Sequence, residues 1–162
     1  MAKRRRGRLR RQLAQAAARV TPRRNGVPAE FFVDTSAWYP LIVARHPDHA
    51  RLSSALRALI RDHRRLVTTN LVVAETHALL LRRVGRAPAL TFLQTVGESP
   101  NVVVRSTREL EAAAERNWLA RYDDQEFSFT DAVSFAVMTE RGIREALALD
   151  RHFVVAGFHA SA

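Results

Sequence analysis

The sequence predicts an α/β fold, a parallel sheet of four to five strands flanked by helices. Two observations predict it. Short apolar runs alternate with longer segments whose apolar residues recur at helical spacing. The short runs are apolar throughout rather than alternating, as expected of strands covered on both faces, and strand–helix–strand order implies right-handed crossovers.

Each element follows in order. "EFFVD" (30–34) is a short apolar run ended by an acid, and reads as the first strand. "HARLSSALRALIRDH" (49–63) places Leu52, Leu56, Leu59 and Ile60 on one helical face. "RLVTTN" (65–70) is the second strand. Residues 70–84 form a helix that is apolar on nearly every side and ends near Gly85. "APALTFLQTVG" (87–97) is another helix, with Pro88 in the first turn, where its missing N–H is not needed. "NVVVRS" (101–106) is the third strand. "TRELEAAAERNWLARY" (107–122) is a helix with Thr107 as its N-cap. "SFTDAVSFAVMTERG" (128–142) is a helix opening on the capping-box spacing Ser128-x-x-Asp131 and closed by Gly142. "EALALD" (145–150) is the fourth strand, again ended by an acid, and "FVVAGF" (153–158) reads as a fifth.

With 162 residues the chain suffices for one domain with a real core. The formal charge of +10 is unevenly placed. Ten of the 26 basic residues and none of the 16 acidic ones fall within 1–29, so the remainder is formally neutral. The chain therefore divides into a basic, arginine-rich N-terminal extension (1–29), flexible or partly helical along Leu9, Leu13, Ala16 and Val20, and a domain at 30–162. Such an extension can hold polyanions by counterion release without reading sequence. The single lysine against 25 arginines also fits a general arginine bias. Cysteine is absent, which excludes disulfides and thiolate metal sites and fits a reducing cytoplasm. No apolar run approaches the roughly 18 residues of a membrane span.

Ligand sites of open parallel sheets lie at the carboxyl ends of the strands. Asp34 and Asp150 end the first and fourth strands, Glu75 lies early in the helix after the second, and Asp131 opens the helix before the fourth. Each also has a structural reading. Asp34 can cap a helix, Asp131 fits a capping box, and Asp150 suits a turn. Glu75 resists such a reading: it is mid-helix among Leu71, Val72, Ala78 and Leu79, so burial of its carboxylate is expected, at a cost of several kcal/mol if uncompensated. Carboxylates gathered in one pocket repel, and a divalent cation removes the conflict. Hard oxygen donors without cysteine or histidine suit Mg²⁺ or Mn²⁺. Ions of this kind activate water and clamp the oxygens of a phosphodiester displacement.

Other acid-rich α/β chemistries fail on the residues. Ser36 stands where a haloacid-dehalogenase-like phosphatase needs its second acid, and residues 4–162 contain no lysine for a receiver domain or a Walker-type P-loop. The six glycines never take a GxGxxG spacing. His46 and His49 of "HPDH" lack further ligands nearby in sequence.

"FVDTSAW", "TTNLVVAET", "DDQEFSFTDAVSFAVM" and "ALALDRHFVVAGF", in this order over 31–158, resemble the PIN-domain family, especially its VapC-type toxin ribonucleases. The resemblance implies a three-layer α/β/α fold and Mg²⁺- or Mn²⁺-dependent endoribonuclease activity. It places Asp34, Glu75, Asp131 and Asp150 as catalytic and metal-binding residues, with Thr35, Ser36, Asp124 and Thr130 around them. It also implies RNA as substrate, a small antitoxin partner and a homodimer. Arg45, Arg82, Arg83, Arg86, Arg121 and Arg151 are candidates to offset the repulsion between RNA and the acids, and Trp38 and Tyr39 to stack on a base. The family's members usually begin almost at the first strand, so the extension sets this chain apart. A non-toxin nuclease of RNA maturation and an RNA-binding module with an inactive pocket are the alternatives.

Overall fold

The computed structural model describes residues 29–98 and 100–161; of the basic extension only Ala29 falls within them. Five strands form an all-parallel sheet: β1 (Glu30–Val33), β2 (Arg65–Thr69), β3 (Val102–Val104), β4 (Glu145–Leu147) and β5 (His159–Ala160), in the order β3-β2-β1-β4-β5. The helices are α1 (Thr35–Ile42), α2 (His49–Arg61), α3 (Asn70–Arg83), α4 (Arg86–Val96), α5 (Arg108–Ala114), α6 (Phe129–Glu140) and α7 (His152–Val155), with a π-helical turn at Glu115–Leu119 extending α5. No helix among the described residues is long and apolar enough to cross a membrane.

The strands are apolar because both faces are covered. Phe31, Phe32, Val33, Leu66, Val67, Ala146 and Leu147 are all buried. α1 packs on α2 and α3, and α3 on α4, whereas α5 pairs with α6. Right-handed crossovers put α1–α4 on one face of the sheet and α5–α6 on the other. On the α6 side Phe135 sits among Trp118, Phe127, Phe153 and Phe158 at centroid distances of 5.1–5.6 Å. α6 closes at Gly142, whose φ of +66° a β-carbon would disfavour; the Ile143 amide then reaches back to Met138 O at 2.8 Å.

Two elements depart from the sequence reading. Residues 35–42, given no element there, form α1 with Pro40 inside it. The run at 153–158, expected as a strand, begins instead within α7, and the fifth strand follows at His159–Ala160. Only Phe153 of its first three residues is buried; Val154 and Val155 are 59% and 41% exposed. Their β-branched character therefore had no core face to serve, and local helix prevailed.

At the amino edge of the sheet, acids and guanidinium groups are matched. Glu30 pairs with Arg65 and with Arg141, the latter through bonds of 2.8 and 2.9 Å. Glu145 pairs with Arg64 and accepts the Ser161 hydroxyl. Burial pushes both glutamates up, but these partners outweigh it and both lie below the ordinary value.

Candidate active site

Strand order reverses at β1, between β2 on one side and β4 on the other, and a crevice opens at such a point beyond the carboxyl ends. Asp34 directly follows β1. Its Oδ2 accepts the Ser36 amide at 2.8 Å, which caps α1. Its own amide donates to Leu147 O at 3.2 Å, so β4 holds its backbone. Ser36 Oγ accepts the amides of Leu149 and Asp150 at 2.9 and 3.3 Å, tying the loop after β4 to the turn after β1.

Asp131 arrives from the other face of the sheet. The capping box is present: its amide donates to Ser128 Oγ at 3.0 Å, and its Oδ2 accepts the Ser128 amide at 2.9 Å. Asp150 Oδ1 accepts the His152 amide at 2.9 Å at the start of α7. Three of the four acids thus each satisfy a backbone N–H at a helix start, which fixes the carboxylate and leaves its other oxygen, and a second lone pair on the bonded oxygen, for a ligand.

Electrostatics bind the four together. Asp34 is buried, and burial pushes its pKa from 3.8 up to about 6 against the hydrogen bonds of Ser36 and Thr35, with the Asp131 charge pushing the same way. Glu75 is also raised, first by partial burial and then by Asp131, with a further push from Asp150; the Thr35 and Thr130 hydroxyls offset part of this. Among the described residues no arginine or lysine forms an ion pair with any of the four.

The setting of Glu75 corrects one expectation. The residue as a whole is exposed, only its carboxyl end being partly buried toward the cleft. It is not ringed by buried apolar groups: Val72 is buried, but Leu71 and Leu79 are half-buried and Ala78 is exposed. The buried stripe of α3 is Val72, Thr76 and Leu80, with Thr76 donating to Thr35 Oγ1 at 3.4 Å. Glu75 stands beside that stripe, on the cleft side.

Other candidates separate. Asp124 is exposed and makes no hydrogen bond to the cluster among the described residues. Arg45, Arg82, Arg83, Arg86, Arg121 and Arg151 are all exposed; Arg151 adjoins Asp150, while Arg82 lies about 10 Å along the helix axis from Glu75. Trp38 is fully buried against Phe92 at 5.4 Å and is no stacking platform; Tyr39 is half-buried beside His46. His46 accepts the Asp48 amide, and His49 lies 2.8 Å from Pro40 O, so both serve local structure.

One residue was missed. His152 Nδ1 lies 3.3 Å from Asp131 Oδ2 and 3.5 Å from Asp150 Oδ1. One donor atom each from Asp131, Asp150 and His152 lie within 4.8 Å of one another, a spacing that a single metal ion can span. The only signal in the sequence was a histidine two residues after a candidate acid. Oxygen donors with one nitrogen and no sulfur fit a hard or intermediate divalent ion such as Mg²⁺ or Mn²⁺.

The comparisons agree with this architecture. The PIN domain family matches residues 31–158. The 23S rRNA-specific endonuclease VapC20 of Mycobacterium tuberculosis is 41% identical over 131 residues, spanning 78% of this chain and 94% of the relative, in both strain CDC 1551 / Oshkosh and strain H37Rv. The crystal structure of Mycobacterium tuberculosis VapC20, described as a sarcin-ricin loop cleaving toxin, superposes with a TM-score of 0.71 at 38% identity, covering 79% of this chain and 95% of that one.

Proposed function

This chain belongs to the PIN-domain family, and from that premise we propose that it is a Mg²⁺- or Mn²⁺-dependent endoribonuclease, the toxin of a VapBC-type pair. One observation carries the reading. Four carboxylates converge at the switch point of a parallel sheet, two of them raised in pKa, with no arginine or lysine neutralising them among the described residues. Such a cluster opposes its own ionisation unless a cation joins it.

Asp34, Asp131, Glu75 and Asp150 are the residues that would hold the ion. When bound there, Mg²⁺ or Mn²⁺ supplies Lewis acidity toward the phosphodiester and toward the attacking water. The protein supplies orientation. Asp34, Asp131 and Asp150 are fixed by backbone amides, and Ser36 holds the loop carrying Asp150 against α1. Thr35 and Thr130 favour the charged form of Glu75. Arg151 beside Asp150, with Arg45, Arg82, Arg83, Arg86 and Arg121 further out, offsets the repulsion between the acids and the RNA backbone. Residues 1–29 add a sequence-independent grip.

The relative's substrate makes the sarcin-ricin loop of 23S rRNA the first RNA to assign. The partners proposed are a small antitoxin and a second copy of this chain, and the setting is cytoplasmic. Exposed Leu81, Val84, Leu90 and Leu93 on α3 and α4 and the turn between them give such partners apolar surface to cover.

Cleavage of a sarcin-ricin loop RNA, with and without Mg²⁺ or Mn²⁺, tests the assignment. Wild type cleaves only with the ion, and Asp34→Asn and Asp131→Asn lose at least about 100-fold, since supporting partners of metal ligands alone are worth 10–100-fold. Equal cleavage by all three proteins removes it.

A further inference from the structure

The part of the cluster that the acids leave unexplained is His152. It sits at the first position of α7, where its backbone amide is held by Asp150 Oδ1 at 2.9 Å. Phe127 packs its ring against the imidazole at 5.2 Å with an 80° interplanar angle, which fixes the ring plane. The side chain is only 18% exposed. Its Nδ1 is aimed into the cluster and faces Asp131 Oδ2 at 3.3 Å and Asp150 Oδ1 at 3.5 Å, each of which also accepts one backbone amide. These distances exceed the usual N–H···O length of about 2.9 Å. Adjacent donors sharing one ion at about 2.1 Å stand roughly 3 Å apart, and one ligand atom from each of Asp131, Asp150 and His152 lies within 4.8 Å of the others. The ring makes no other hydrogen bond among the described residues.

We infer that His152 is itself a ligand of the ion in this centre, donating through Nδ1 beside Asp131 and Asp150. This rests on the metal-dependent reading above and adds to it a residue of a different chemical kind. The centre becomes a mixed carboxylate–imidazole site. An imidazole nitrogen is a poor partner for Mg²⁺ and a good one for the transition ions, so the site ranks Mn²⁺ above Mg²⁺. His152 also brings the start of α7 into the ion's coordination sphere. The ion then ties together the loop after β4 and the N-terminus of α6, which approach from different parts of the chain.

The test needs no RNA. Mn²⁺ is added to the full-length protein and examined by pulsed electron paramagnetic resonance, which detects a directly bound imidazole through its ¹⁴N coupling. The wild type shows that coupling. His152→Ala loses it, binds Mn²⁺ about 10-fold more weakly, and changes far less in its affinity for Mg²⁺ measured by competition. Wild type that binds Mn²⁺ with no imidazole coupling overturns the histidine ligand and leaves the acidic site standing, a result that does not depend on whether the variant folds. Equal losses of Mn²⁺ and Mg²⁺ affinity in His152→Ala overturn it too. Wild type that binds no Mn²⁺ at all removes the metal-dependent reading, and the histidine ligand with it.

Discussion

The two edges of the sheet carry the same residue type in opposite conditions. At the amino edge Glu30 and Glu145 meet Arg65, Arg141 and Arg64, and their carboxyls are held below the ordinary range. At the carboxyl edge Asp34 and Glu75 are pushed above it, with other acids as neighbours. Burial acts in the same direction at both edges, so the difference is the partner. Arginine completes one set within the chain, and the other set is left for something outside it. Ion pairs at the amino edge hold the sheet; unmatched charge at the carboxyl edge is held in place by the rest of the fold.

Substitutions at the two edges should therefore change stability with opposite signs. The largest effect is expected at Asp34. Its pKa rises from 3.8 to about 6 on folding, so between those values the folded chain keeps a proton that the unfolded chain has released. The contribution of Asp34 to stability is then most favourable below about pH 4 and is lost as pH rises through 6, leaving a cost of about 3 kcal/mol above that. Asparagine removes the charge and still caps α1. Asp34→Asn, unfolded by urea in the presence of a chelator, should gain up to about 3 kcal/mol at pH 7.5 and almost nothing at pH 4. A gain equal at both values contradicts the burial argument.

Glu30→Gln should do the reverse. It leaves Arg65 and Arg141 without their anion and should cost about 2 kcal/mol, discounted because both guanidinium groups are partly exposed. RNA cleavage by the folded protein should be unchanged, and a large loss of cleavage would mean that the edges are coupled. The smallest stability effect belongs to Glu75→Gln. Glu75 is solvent-exposed, so chelator-treated protein should gain less than about 1 kcal/mol, while cleavage falls by 10-fold or more. A clear loss of stability would reveal an ion pair at Glu75.

Much of this was legible in the sequence, for identifiable reasons. β1, β2 and β4 read as apolar runs because their apolar residues are buried on both faces; β3, at the edge of the sheet, is as apolar but only half-buried. Asp34 stood out because an acid directly after a strand lies at the sheet edge. Asp150 reads as the end of the fourth strand, but β4 stops at Leu147 and Asp150 lies three residues into the loop, still on the same side of the sheet as Asp34 through the Ser36 bonds. α1 was not legible, since Pro40 and the aromatic pair Trp38 and Tyr39 give no helical stripe. Glu75 was noticed for a mistaken reason: an apolar sequence around it implied burial, but α3 buries only the Val72, Thr76 and Leu80 side and leaves Leu81 46% exposed. Sequence alone also set capping against catalysis as rival roles for Asp34 and Asp131. The structure shows the capping bonds together with a shared cleft, and the two roles are compatible because a carboxylate has two oxygens. His152 escaped notice because its distance to Asp131, 21 residues earlier, is created only by the fold.

The Ser36 hydroxyl, which receives the amides of Leu149 and Asp150, joins residues more than 110 positions apart. A chain made from its N-terminus contains the residues of β1, β2 and β3 well before the segment that completes the crevice exists. A polypeptide arrested between Asp131 and β4 carries three of the acids but lacks the strand and loop that bring the fourth beside them. For an endoribonuclease, this order of assembly withholds the acidic crevice until most of the chain has been made.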